Sequence, residues 1–215
     1  MKPSKMYVAG HVTLFLAAIL GLTSCNSTGT DRSKEASATM ETVENDIKSV
    51  GVQLDVTGAS LDELMKQGQP EVKKAFNAFT DNISKLESMQ KNVARHADEM
   101  KARGKDYFEE WQKEGEKYKN QQIQELSEQR RADLGEIYGK IAENSIGVRD
   151  AFKAYLSDAK EIQNYLSNDL TAKGVEAIAP ISKKVVSNGE NLRLATKNVQ
   201  TAIERARAEM SQSGR

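Results

Sequence analysis

The stretch METVENDIKSVGVQLDVTGASLDEL, Met40 to Leu64, decides the fold. Met40, Val43, Ile47, Val50, Leu54, Thr57, Leu61 and Leu64 are spaced alternately three and four residues apart, and only Thr57 among them is polar. Apolar residues at this spacing line one stripe of an α-helix, a heptad seam that must be buried against other helices. Gly68-Gln69-Pro70 then breaks the pattern, with the proline set to open a second helix.

The second seam runs through Val72, Phe76, Phe79, Ile83, Leu86, Gln90, Val93, Ala97 and Met100. A short break between two such seams predicts a helical hairpin. The same stepping continues past Gly104 to Tyr107, Trp111 and Tyr118. A helix of about 70 Å over residues 71–118 follows at ~1.5 Å per residue, with Gly104 and Gly115 as places for a bend or break. Lys119-Asn120 marks a corner. A third helix carries Leu134, Ile137, Ile141, Val148, Phe152, Tyr155, Ala159, Ile162 and Leu166, weakest at Asn144-Ser145 and Gly147. Thr171 is placed to cap a short segment before Pro180. A last helix carries Val185, Leu192, Val199, Ile203 and Met210, with Asn188-Gly189 as an interruption. No strand-like alternation occurs. The reading is all-α, an elongated antiparallel helical bundle or set of coiled-coil-like hairpins of about four long helices.

Upstream of the helices the sequence carries an address. Lys2 and Lys5 precede an apolar run, Val12 to Leu22, and no acid occurs before Asp31. The run has the length of a signal-peptide core and is too short to span a bilayer as a helix. Leu22-Thr23-Ser24-Cys25 closes it and resembles the lipobox of bacterial lipoproteins. The resemblance implies cleavage between Ser24 and Cys25, with diacylglyceryl attachment to Cys25 and acylation of the new amino terminus. Two or more acyl chains anchor firmly where one holds only marginally. Asn26 follows the cysteine instead of an inner-membrane retention aspartate, which favours the periplasm-facing leaflet of the outer membrane. The expected division is a signal peptide over 1–24, a flexible tether over 25–32, a helical domain over 33–211 and a frayed tail over 212–215.

Composition excludes several function classes. The 215 residues hold 31 basic and 31 acidic side chains. Removing residues 1–24 takes away Lys2 and Lys5, leaving a charge of −2 and no basic stripe for nucleic acid. The only cysteine is Cys25, and beyond residue 24 the only histidine is His96. No metal site and no cofactor is expected from so few ligands, and no Gly-rich phosphate loop occurs. His96 stands among Arg95, Asp98 and Glu99 and reads as a solvated helix histidine. An enzyme is not expected.

Three features stand out. In DYFEEW, Asp106 to Trp111, the rings of Tyr107, Phe108 and Trp111 share a broad face with Tyr118. Such a face serves as a docking patch or fills the bundle seam; its phase with Met100 favours the seam. In LSEQRRADL, Leu126 to Leu134, Arg130 falls on the seam four residues before Leu134. It needs a facing acid, access to water, or an anionic ligand. Glycines at 51 and 58, and at 135 and 139, interrupt helical pattern and suggest close packing or bending.

Together with the lipobox, the strings GKDYFEEW, LSEQRRADL and NYLSNDLTAKG resemble an uncharacterised family of Gram-negative lipoproteins classed only as a domain of unknown function. The resemblance implies an all-helical envelope protein and assigns no chemistry to any residue. On this reading the chain is a lipid-anchored, non-enzymatic interaction or scaffold protein, with the membrane and another envelope protein as partners. Self-association follows if the seams stay open, and a monomer if they close internally. The alternative is a ligand-binding or sensor module, with Tyr107, Trp111 and Arg130 lining a cavity for an apolar or anionic small molecule.

Overall fold

The structure, a computed structural model, describes residues 28–66, 68 and 70–212. The signal-peptide and lipidation expectations at residues 1–25, Ser24 and Cys25 included, lie outside the described residues, as does the tail beyond residue 212. The described residues form five helices and no strand: α1 (Gly29–Leu64), α2 (Val72–Gly115), α3 (Gln121–Asn168), the short α4 (Ala172–Ala177) and α5 (Ala179–Gln212).

Each boundary has a local cause. Thr28 caps α1 through a capping box: its hydroxyl accepts the Asp31 N–H at 3.2 Å and the Asp31 carboxylate accepts the Thr28 N–H at 3.1 Å. Gly68, at φ 67°, turns the chain between α1 and α2 in a conformation that favours glycine. The Asn120 side chain caps α3 by accepting from the N–H groups of Gln122 and Ile123, and Thr171 caps α4 through Gly174. Two expectations are corrected here. The helix begins at Gly29, so residues 29–32 belong to α1 and not to a tether. Gly104, Gly147 and Gly189 interrupt nothing, because packing on both sides holds α2, α3 and α5 helical throughout.

The long helices close a ring in which α1 packs on α2, α2 on α3, α3 on α5, and α5 back on α1. Short connections make sequence neighbours antiparallel. The pairs Glu44–Arg207 and Asp55–Arg193 show that α1 and α5 also run oppositely. All eight positions of the first seam are buried, including Thr57, which donates to the Gln53 carbonyl one turn back. Gln53 in turn donates to Asn82 on α2 at 3.1 Å, a polar contact that fixes the register of the first hairpin. Phe79, Ile83, Leu86, Phe152, Ile162 and Leu166 fill the opposing layers. The seams are thus buried against one another within one chain.

The glycine expectation is corrected as well. A β-carbon added at Gly51, Gly58, Gly135 or Gly139 meets no atom within 4 Å, so none of these serves close packing. Their joint replacement by alanine is expected to raise stability by about 2–4 kcal/mol in total, since each removes about 0.5–1 kcal/mol of backbone entropy penalty. Urea unfolding measures this directly; an unchanged midpoint would contradict it.

Ion pairs bind the ring across helices. Glu44 is largely buried, accepting from Lys48 at 2.6 Å and from Arg207 on α5 at 2.9 Å. The Lys48 hydrogen bond, with the charges of Lys48 and Arg207, holds its carboxyl below the ordinary 4.5 despite burial. A depressed native value stabilises the fold above the unfolded value, and that contribution is lost as pH falls through the native one. Glu44→Gln is therefore expected to flatten the acid limb of the stability profile below about pH 5. Parallel acid limbs in thermal melts of the two proteins would refute this.

Candidate functional site

One end of the bundle gathers the residues of interest: the first turns of α1 and the last turns of α2 and α5. Tyr107 and Trp111 near the end of α2, with Tyr118 just beyond it, present a wall of rings beside Glu114. Facing it are Arg32, Lys34 and Ser37 of α1 with Arg207 and Met210 of α5. Between them lies an open groove of about 1110 Å³.

The DYFEEW rings divide between this groove and the interior. Tyr107 stacks at a tilt on Trp111, with centroids 5.6 Å apart, and edge-on to Phe108 at 5.0 Å. Phe108 turns inward and meets Tyr138 of α3 edge-on at 5.6 Å. The Trp111 indole N–H donates to the Ser127 hydroxyl of α3 at 2.9 Å, so this ring is half-buried and held in place. Burial pushes the Tyr107 hydroxyl above its usual range, partly offset by a hydrogen bond with Ser33. Tyr118 is exposed at the corner beyond α2. Tyr107, Trp111 and Tyr118 therefore line the groove, while Phe108 packs against the core.

Arg130 does not line it. The Arg130 guanidinium donates to the backbone carbonyl of Glu209 on α5 at 2.8 Å and pairs with the Glu209 carboxylate at 3.3 Å. Its role is to tie α3 to α5. The cationic side of the groove is supplied by Arg32 and Arg207, which sequence reading did not single out. They stand at opposite ends of the chain, and no local spacing connects them. Arg207 pairs with Glu44 and, at 3.8 Å, with Glu41.

Beneath the groove lies a close contact at a glycine. Tyr138, on α3, lies across Gly104 of α2 and donates its hydroxyl proton to the Met100 carbonyl at 2.6 Å. Burial pushes this hydroxyl up to about 12, partly offset by hydrogen bonding with Thr39. One phenol thus joins α3 to both α2 and α1. A buried glycine in phase with the seam, opposite an aromatic, is the signal that could have revealed it.

His96 also departs from expectation. It is not a solvated side chain: its Nδ1 lies 2.6 Å from the Asp46 carboxylate, and both side chains are mostly covered between α1 and α2. The helical phase that puts His96 beside the seam positions Val93 and Ala97 explains the burial. Among the described residues, no three His, Cys, Asp or Glu side chains converge as metal ligands. No described helix is long and apolar enough to cross a membrane.

No curated protein and no solved structure matches the chain. A family model does: with residues 30–212 covered, from the first turn of α1 to the end of α5, the chain belongs to the family described as protein of unknown function DUF2959.

Proposed function

We propose that this protein is a lipid-anchored, non-enzymatic interaction module of the cell envelope. Acyl chains on Cys25 hold it to the periplasmic leaflet of the outer membrane, and its helical bundle meets a protein partner at the end nearest the anchor. The carrying observation is the ring-walled groove of Tyr107, Trp111 and Tyr118, which opens beside Thr28, three residues after Cys25. Rings of this type supply large contact area at low entropic cost. The lipobox resemblance supports the anchor. The heptad seams are satisfied inside one chain and call for no second copy.

A photoreactive amino acid in place of Tyr118, activated in living cells, tests this reading. A repeatable adduct with one envelope protein is expected. Adducts confined to the chain itself would overturn it.

The groove favours a second reading, a site for an amphiphile with an anionic head. Arg32, Lys34 and Arg207 would receive the head, and the rings the apolar portion. Trp111 is the sole tryptophan, so its emission reports directly on the groove. Lysophosphatidylglycerol added below its micelle concentration is expected to shift that emission if this reading holds. An unchanged spectrum counts against it.

A further inference from the structure

The α2–α3 corner stands beyond the rest of the bundle. The contact between Asp46 and His96, and that between Ser33 and Tyr107, set Thr28 opposite roughly residues 112–114 of α2. α2 continues to Gly115, so its end lies about 2–5 Å past the start of α1 at ~1.5 Å per residue. The turn over 116–120 lies farther out. The Arg130–Glu209 pair sets the end of α5 opposite roughly residue 127, below the first turn of α3. Neither α1 nor α5 covers the corner.

The corner exposes three large apolar side chains among its polar ones. Tyr118, Ile123 and Leu126 are 43%, 50% and 67% exposed, and Ile123 and Leu126 share one face of α3. Nearby charges nearly balance, Lys113, Lys117 and Lys119 against Glu114, Glu116 and Glu125. An attraction to this patch is therefore apolar and not electrostatic.

What covers the patch follows from the chain's attachment. Thr28 is already the cap of α1, and only residues 26 and 27 separate it from Cys25. Three steps of chain reach about 10 Å at most. An anchor at Cys25 therefore keeps the bundle end within that distance of the bilayer, and the corner projects over most of it.

We propose that the α2–α3 corner rests in the interfacial zone of the membrane carrying the anchor. Ile123 and Leu126 enter at the acyl boundary, and Tyr118 lies at the level of the head groups, where an amphipathic ring is favoured. Two contacts at one end hold the bundle upright. This inference rests on the acylation of Cys25.

The test uses the full acylated chain in phosphatidylcholine vesicles. Acylation occupies Cys25, so Ile123→Cys supplies the sole free thiol for a bimane label, with Val52→Cys, exposed far along α1, as the comparison. A nitroxide at a shallow acyl position is expected to quench the label at 123 several-fold more than at 52, with iodide quenching reversed. Equal accessibility of both labels to iodide, in protein whose intact mass carries the acyl chains, overturns the corner contact alone. An intact mass without acyl chains overturns the anchor reading and the tether argument with it.

Discussion

Gly104→Ala is expected to destabilise the bundle by about 2–4 kcal/mol, although alanine is the better helix former by about 1 kcal/mol. A β-carbon at residue 104 would lie 2.2 Å from the Tyr138 ring and 2.6 Å from its hydroxyl oxygen. The ring cannot swing aside freely, because it is buried between α1, α2 and α3 and its hydroxyl is bonded to the Met100 carbonyl. Either the ring moves and leaves that bond, a loss of about 1–3 kcal/mol, or α2 and α3 separate and loosen the core, with overpacking of similar size. In a Tyr138→Leu background the obstacle is gone, and the same alanine is expected to be neutral or stabilising. Urea unfolding of the four proteins gives the coupling between the two sites. Additive effects would show that the ring and the glycine do not compete for one space.

Phe152→Ala is expected to remove about 3–5 kcal/mol, close to 10 °C in melting temperature for a chain of this size. Phe152 is 1% exposed on α3 and belongs to the core cluster shared with α5. Truncation removes the transfer energy of the ring and leaves a cavity that rigid, interdigitated helices cannot collapse to fill. Tyr118→Ala, by contrast, removes a ring that is already exposed, and its melting temperature is expected to stay within a degree or two of the parent. Thermal unfolding followed by circular dichroism distinguishes them. A Phe152→Ala protein melting with the parent would mean that this core is fluid.

The heptad stepping made the fold legible because burial in a bundle depends on phase alone. Met40 to Leu64 is buried position by position, the corner at Lys119-Asn120 separates α2 from α3, and Thr171 caps α4 where the sequence marks it. What one helix cannot reveal is its angular relation to the next. Gly51 and Gly104 look alike in sequence, yet only Gly104 faces an aromatic from another helix. His96 looked solvated because its sequence neighbours are charged, while its spatial neighbour, Asp46, lies fifty residues away. For the same reason the spacing of Tyr107, Trp111 and Tyr118 put them on one face but favoured the bundle seam over a groove wall, and Arg32 and Arg207 emerged only on folding. For Arg130 the sequence left a facing acid, water and an anionic ligand open; Glu209, across the chain, is the acid it pairs with.

The ring order of the helices also governs how the molecule assembles. Three of its four helix–helix interfaces join neighbours in sequence, so α1–α2 and α3–α5 can each form as a local hairpin with little loop-closure entropy. The fourth interface joins the two ends of the chain, where the buried Glu44 pairs with Arg207 and the exposed Asp55 pairs with Arg193. Its residues lie farthest apart in sequence, so it carries the largest loop-closure cost of the four. A partial opening that parts α1 from α5 while both hairpins remain intact would widen the groove between Arg32 and Arg207.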